Sequence, residues 1–175
     1  MTFFYYFAYG SNLLKSRIRI QNKGAEYVGN GRLEGFKLHF VSYSQRWKGA
    51  LATILEEEGA EVIGCVWKIP MDFSVELDKQ EYSYHRLSVP IHCFEDGQAI
   101  ECRTYQFDDL AAPETLPSPH YKTVIYAGAV EHDLPHDYLE RLFAIEDNGF
   151  RGRVEVDLEV IRHLNLSSRE EENKG

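Results

Sequence analysis

Two short stretches of the chain carry residue types that can do chemistry. In the first, Tyr9-Gly10-Ser11-Asn12 follows the aromatic run 3–8 and precedes a helical pattern. A strand-to-helix junction of this kind aims backbone N–H groups outward, where the peptide dipoles favour negative charge. Gly10 allows a ligand close to the backbone. A carboxylate or a developing oxyanion suits such a corner; an ordinary capped turn is the alternative. The second stretch ends at Glu81. Phe73, Leu77 and Glu81 recur every fourth residue, so a helix carries all three on one face. The apolar pair marks that face as inward, and burial raises a glutamic acid above its ordinary pKa of about 4.3. A glutamate tuned in this way shuttles protons near neutral pH. The alternative is a Glu81 that lies past the helix end and turns into solvent.

Other constellations constrain less. Neither G-x-x-x-x-G-K-[ST] nor G-x-S-x-G occurs, so there is no phosphate loop, and Ser11 lacks a nucleophile elbow. Ser11, Asp78 and His85 can be drawn as a hydrolase triad, but nothing in their spacing requires it. His132, Asp133, His136 and Asp137 bring two imidazoles and two carboxylates together. Pro135 separates those histidines, and acidic residues at a helix start ordinarily cap it, so no metal site is assigned. Lys15, Arg17, Arg19 and Lys23 form the longest basic cluster and read as the solvent face of a helix and its exit. His85 and Arg86 are expected at the rim of a pocket around Glu81.

The elements that must position these residues follow from periodicity. The run 3–8 reads as a strand buried on both faces, and 13–21 as a short helix capped by Ser11 or Asn12. Strands are expected at 25–33, 36–42, 50–55 and 61–69, broken by turns at Gly29-Asn30-Gly31 and Glu58-Gly59. Pro70 stops the last of them, and 72–81 reads as the helix that carries Glu81. Strands 84–94 and 99–107 flank a turn at Glu95-Asp96-Gly97, and 108–119 is a loop. Ser118-Pro119 is a cap followed by proline at the first helical position, opening a helix to residue 130. A second helix starts at Leu134-Pro135 and runs to 146; a third covers 154–163. Strands followed by helices give an α+β fold with a twisted, largely antiparallel sheet curling toward a barrel. Residues 1–166 read as one domain and 167–175 as a disordered tail.

Composition excludes several partners. The net charge of -9 repels phosphate backbones, so nucleic acid is not expected. No apolar run approaches the ~18 residues of a membrane span. The apolar start lacks a basic region and does not read as a signal peptide. Cys65, Cys93 and Cys102 include no C-x-x-C and sit in apolar, strand-like surroundings. They read as buried free thiols of a reducing, cytoplasmic setting.

Three segments together resemble the γ-glutamylcyclotransferase family. Tyr6-Phe7-Ala8-Tyr9-Gly10-Ser11-Asn12-Leu13-Leu14 is similar to its signature loop. Leu77-Asp78-Lys79-Gln80-Glu81 resembles the segment ending in its catalytic glutamate. Ser118-Pro119-His120-Tyr121-Lys122 resembles the segment whose tyrosine lines the substrate pocket. Stretches 47–54, 62–68 and 134–152 also fit, so the likeness spans nearly the whole chain. It favours the γ-glutamyl amino acid branch over the glutathione-specific one. The resemblance implies a small mixed barrel flanked by helices and a cytoplasmic homodimer that needs no metal or cofactor. Its ligand would be a small γ-glutamyl substrate. Glu81 would be general base and then acid, with Tyr6, Phe7, Ala8, Tyr9, Gly10, Ser11, Asn12 and Tyr121 binding substrate. One departure stands out: only Tyr82 and Ser83 separate Glu81 from the next strand, where the family usually has a longer, glycine-containing loop. A cyclotransferase acting on γ-glutamyl amines and a binding module without turnover are the alternatives.

Overall fold

The computed structural model describes residues 2–166; the expected tail at 167–175 lies outside the described residues. Five strands close into a barrel: β1 (Phe3–Ala8), β2 (Glu26–Ser44), β3 (Gly49–Pro70), β4 (Tyr84–Cys93) and β5 (Ala99–Phe107), in the order β1-β3-β2-β4-β5. Neighbours pair antiparallel, except that β5 returns to β1 in parallel at Tyr6 opposite Arg103. The sheet is therefore mixed. Phe7, Ile54, Val66 and Ile91 are fully buried in one continuous core.

Four expected strands prove to be two long ones. β2 and β3 form a single hairpin from Glu26 opposite Lys68 to Ser44 opposite Gly49. Gly29-Asn30-Gly31 stays in the ladder, marked only by a register shift between Tyr27 and Gly29. Glu58-Gly59 does not end a strand either. Pairing passes from Glu34 opposite Glu61 to Phe36 opposite Glu56, so residues 57–60 bulge out across from Gly35. Gly35 (φ +80°) and Gly59 (φ +81°) adopt the left-handed backbone that this irregularity needs.

Short helices close the ends. A 3-10 turn (Ser11–Leu13) and α1 (Lys15–Ile18) replace the longer helix expected at 13–21. Neither Ser11 nor Asn12 caps them with its side chain, contrary to expectation. The Asn12 side chain is buried and bonded elsewhere. After Pro70, a 3-10 turn (Met71–Phe73) leads into α2 (Ser74–Gln80). α3 (Pro119–Glu131) begins as its sequence requires: the Ser118 hydroxyl accepts the Tyr121 N–H at 3.1 Å, with Pro119 in the first turn. α3 packs directly on the chain that follows the glycine loop. A Cβ on Gly128 would lie 2.5 Å from the Leu14 nitrogen, so only glycine permits this approach.

α4 (His136–Phe143) ends earlier than expected. The third helix is largely absent: Val154, Val156 and Leu158 are buried at a period of two in extended backbone. A 3-10 turn (Glu159–Ile161) follows and continues into a helical turn at 162–166. No helix among the described residues is long and apolar enough to cross a membrane. Cys65 and Cys102 are buried free thiols, whereas Cys93 is half-exposed, since it ends β4 beside the turn.

Candidate active site

A cavity of about 480 Å³ opens where the end of β1, the hairpin turn at 45–48 and the end of α2 meet. Glu81 lies on its wall, just past α2. Leu77, wholly buried, seats the helix one turn earlier, and the Glu81 N–H donates to the Leu77 carbonyl at 3.1 Å. The shortened loop is a tight turn, with the Tyr84 N–H donating to the Glu81 carbonyl at 2.9 Å. The inward face anticipated from Phe73, Leu77 and Glu81 is thus the one formed. Burial pushes the Glu81 carboxyl up to about 7, although the Arg17 charge pulls the other way. No hydrogen bond to another described residue fixes that carboxyl.

The glycine loop lines the same cavity as Glu81. Tyr6, Tyr9, Gly10, Ser11 and Asn12 all contribute to the wall, as does Tyr121. Asn12 is a strut. Its amide donates to the Tyr6 hydroxyl at 3.2 Å and accepts from the Gln80 amide at 3.2 Å. Its backbone carbonyl accepts the Trp67 indole N–H at 3.0 Å. The loop is thereby tied to β3 and to the residue preceding Glu81. Tyr9 donates to the Tyr105 carbonyl at 2.5 Å. The Tyr6 and Tyr9 phenols are pushed well above their ordinary pKa, by burial first and the Glu81 charge second, so both stay neutral. A methyl on Gly10 would meet Ala52 Cβ at 3.4 Å and the Tyr121 hydroxyl at 3.7 Å, taking up space beside the loop amides. Phe7 and Ala8 do not reach the cavity. Both are fully buried in the barrel, where the Phe7 carbonyl accepts the Thr104 hydroxyl at 2.9 Å.

The constellation is one carboxyl that titrates near neutrality, several neutral phenols and a glycine-bearing loop. It can move protons on a bound molecule. Among the described residues that line the cavity there is no cysteine and no histidine. Residues 61–142 match the AIG2-like family. The chain is 42% identical over 165 residues to a γ-glutamylcyclotransferase of Bos taurus, spanning 90% of this chain and 87% of that one. It is 42% identical to the Homo sapiens γ-glutamylcyclotransferase over 166 residues, with the same coverage. The chain belongs to the γ-glutamylcyclotransferase family. A solved γ-glutamyl cyclotransferase structure superposes with a TM-score of 0.86 at 38% identity, covering 94% of this chain and 99% of the other.

Within this γ-glutamylcyclotransferase fold, the competing constellations are not assembled. Asp78 pairs with Arg86 and accepts from Tyr105 at 2.6 Å. The His85 nitrogens meet Asp108 at 3.0 Å and Gln106 at 2.8 Å, so neither residue serves Ser11. His85 and Arg86 do not shape the cavity rim as expected, because their β4 positions commit them to these partners. His132 faces the Leu13 carbonyl at 2.9 Å, and His136 lies 3.1 Å from Glu140. Among the described residues, no three metal-ligating side chains gather.

The cavity also includes residues that sequence reasoning did not select. Tyr84 donates to the Ala52 carbonyl at 2.6 Å, and Arg46, Trp47 and Tyr105 complete other walls. Arg17 is the sharpest correction. Its basic neighbours Lys15 and Arg19 are exposed, but Arg17 is 5% exposed and lines the cavity. The signal was present: Arg17 and Ile18 fall three and four residues after buried Leu14, on one helical face.

Proposed function

We propose that the protein is a γ-glutamylcyclotransferase that converts γ-glutamyl amino acids into 5-oxoproline and the free amino acid. The observation that carries this reading is Glu81, an unbonded carboxyl titrating near 7 on the wall of a tyrosine-rich cavity. The substrate contains its own nucleophile. Its α-nitrogen attacks its γ-carbonyl carbon, a C–N bond closes a five-membered ring, and the original amide C–N bond breaks. Two protons leave the α-nitrogen and two arrive on the departing nitrogen. One carboxylate can pass them singly, as base and then as acid. Positioning supplies much of the remainder, since oriented intramolecular reactions reach effective molarities of about 10⁵–10⁸ M.

In this reading Glu81 handles the protons. The amides of residues 10–12 hold substrate oxygens, and Tyr6, Tyr9 and Tyr121 shape the pocket. Phe7 and Ala8 act only by carrying β1. No metal or cofactor enters the scheme. A homodimer in the cytoplasm completes the proposal, and light scattering of the purified protein tests the first part of it.

The deciding experiment follows 5-oxoproline release from γ-glutamyl-alanine by wild type and Glu81→Gln, in buffer with and without chelator. Chelator-insensitive release that disappears in a folded Glu81→Gln variant is expected. Equal release by both proteins would remove Glu81 from the mechanism.

A further inference from the structure

Arg17 is a charged group in an unusual position. It sits on α1 with only 5% of its surface exposed, and its Nε is sealed without a hydrogen-bond partner. Among the described residues no carboxylate lies within 4.0 Å of its guanidinium. The Trp47 ring lies beside it, 5.8 Å from the guanidinium carbon to the centroid, and the nearby charge of Arg46 is of the same sign. A buried, unpaired guanidinium is costly, so this position calls for an anionic partner. Glu81 is not that partner. The two side chains line the same cavity and feel one another electrostatically, but they do not touch. A cation and an anion held apart on the walls of one cavity complement a molecule whose own charges run in the opposite sense. An α-amino acid head group is such a molecule, with carboxylate and ammonium attached to the same carbon.

We propose that Arg17 anchors the α-carboxylate of the γ-glutamyl group, turning the neighbouring α-ammonium toward Glu81. This rests on the cyclotransferase reading above and extends it. The loop amides then remain for the oxygen of the reacting carbonyl. Arg17 would be a substrate-binding residue that also sets orientation: a substrate without the α-carboxylate enters the cavity but presents its amine poorly.

The test compares γ-glutamyl-alanine with γ-aminobutyryl-alanine, which cyclises by the same bond changes to 2-pyrrolidinone but has no α-carboxylate. Wild type should favour γ-glutamyl-alanine by about 100-fold in kcat/KM, the worth of a charge-assisted pair in a desolvated site. Arg17→Gln should lose that preference, falling sharply on γ-glutamyl-alanine and little on the truncated substrate. Arg17→Lys keeps the charge without the planar fork and should retain part of the preference; it also serves if the glutamine variant fails to fold. Equal losses on both substrates, or an unchanged ratio, would overturn the anchor. Binding of 5-oxoproline against 2-pyrrolidinone, measured by calorimetry, separates this inference from the parent reading. If wild type turns over neither substrate but binds 5-oxoproline in an Arg17-dependent way, the anchor stands and the activity falls. If it neither turns over nor binds, both fall.

Discussion

The hydroxyls of Tyr84 and Tyr121 hold the two sides of one residue, Ala52. Tyr84 donates to the Ala52 carbonyl at 2.6 Å, while the Tyr121 hydroxyl accepts the Ala52 N–H at 3.1 Å. Ala52 in turn lies where a side chain on Gly10 would point. The tyrosine on α3 therefore sets the β3 backbone that faces the glycine loop. Tyr121→Phe leaves a buried N–H without its acceptor. It should cost about 1–3 kcal/mol in denaturant unfolding and lower turnover together with stability. Unchanged stability would mean that Ala52 finds another acceptor.

Glu81 should oppose folding above neutral pH. Its carboxyl is raised from 4.5 to about 7 by burial, so the folded state binds the proton more tightly than the unfolded chain. Stability then falls as pH rises through that interval, and the cost is complete above 7. Glu81→Gln removes the titration. The variant should match wild type near pH 4 and exceed it at pH 8, by at most about 3 kcal/mol, while losing activity. Urea midpoints at the two pH values check the sign.

The same carboxyl should shape the rate profile. A general base works ionised, so kcat/KM should rise with pH through about 7. The Arg17 charge holds Glu81 down, so Arg17→Gln should move this acid limb upward. An acid limb near the ordinary glutamate value would place Glu81 in contact with bulk water.

Glu81 was legible because its helix is amphipathic and its spacing from Phe73 and Leu77 leaves one inward direction. The strands were legible in kind but not in extent. Gly35 and Gly59 resemble turn residues locally, yet cross-strand pairing absorbs them as an irregularity inside one hairpin. The helix expected at 154–163 forms only at its end, because Val154, Val156 and Leu158 alternate at the strand period and are buried in extended backbone. Arg17 was hidden by its basic neighbours, since a charge cluster suggests solvent more strongly than helical phase suggests burial. Arg46, Trp47, Tyr84 and Tyr105 were out of reach, because only barrel closure brings their elements to one cavity.

Gly128 gives a test of how the loop is held. Alanine is the better helix former by about 1 kcal/mol, but its Cβ would press on the Leu14 nitrogen. The clash should dominate, so Gly128→Ala should be destabilised by about 1–3 kcal/mol and should lose activity as residues 9–14 shift. A stabilised, fully active variant would show that α3 can retreat.

The parallel seam at Tyr6 and Arg103 has a consequence outside the chemistry. An open five-stranded sheet would present two rows of unpaired backbone groups, templates on which other chains can add strands and aggregate. Joining β5 to β1 covers part of both rows at this seam, which leaves a second copy of the chain fewer places to add a strand.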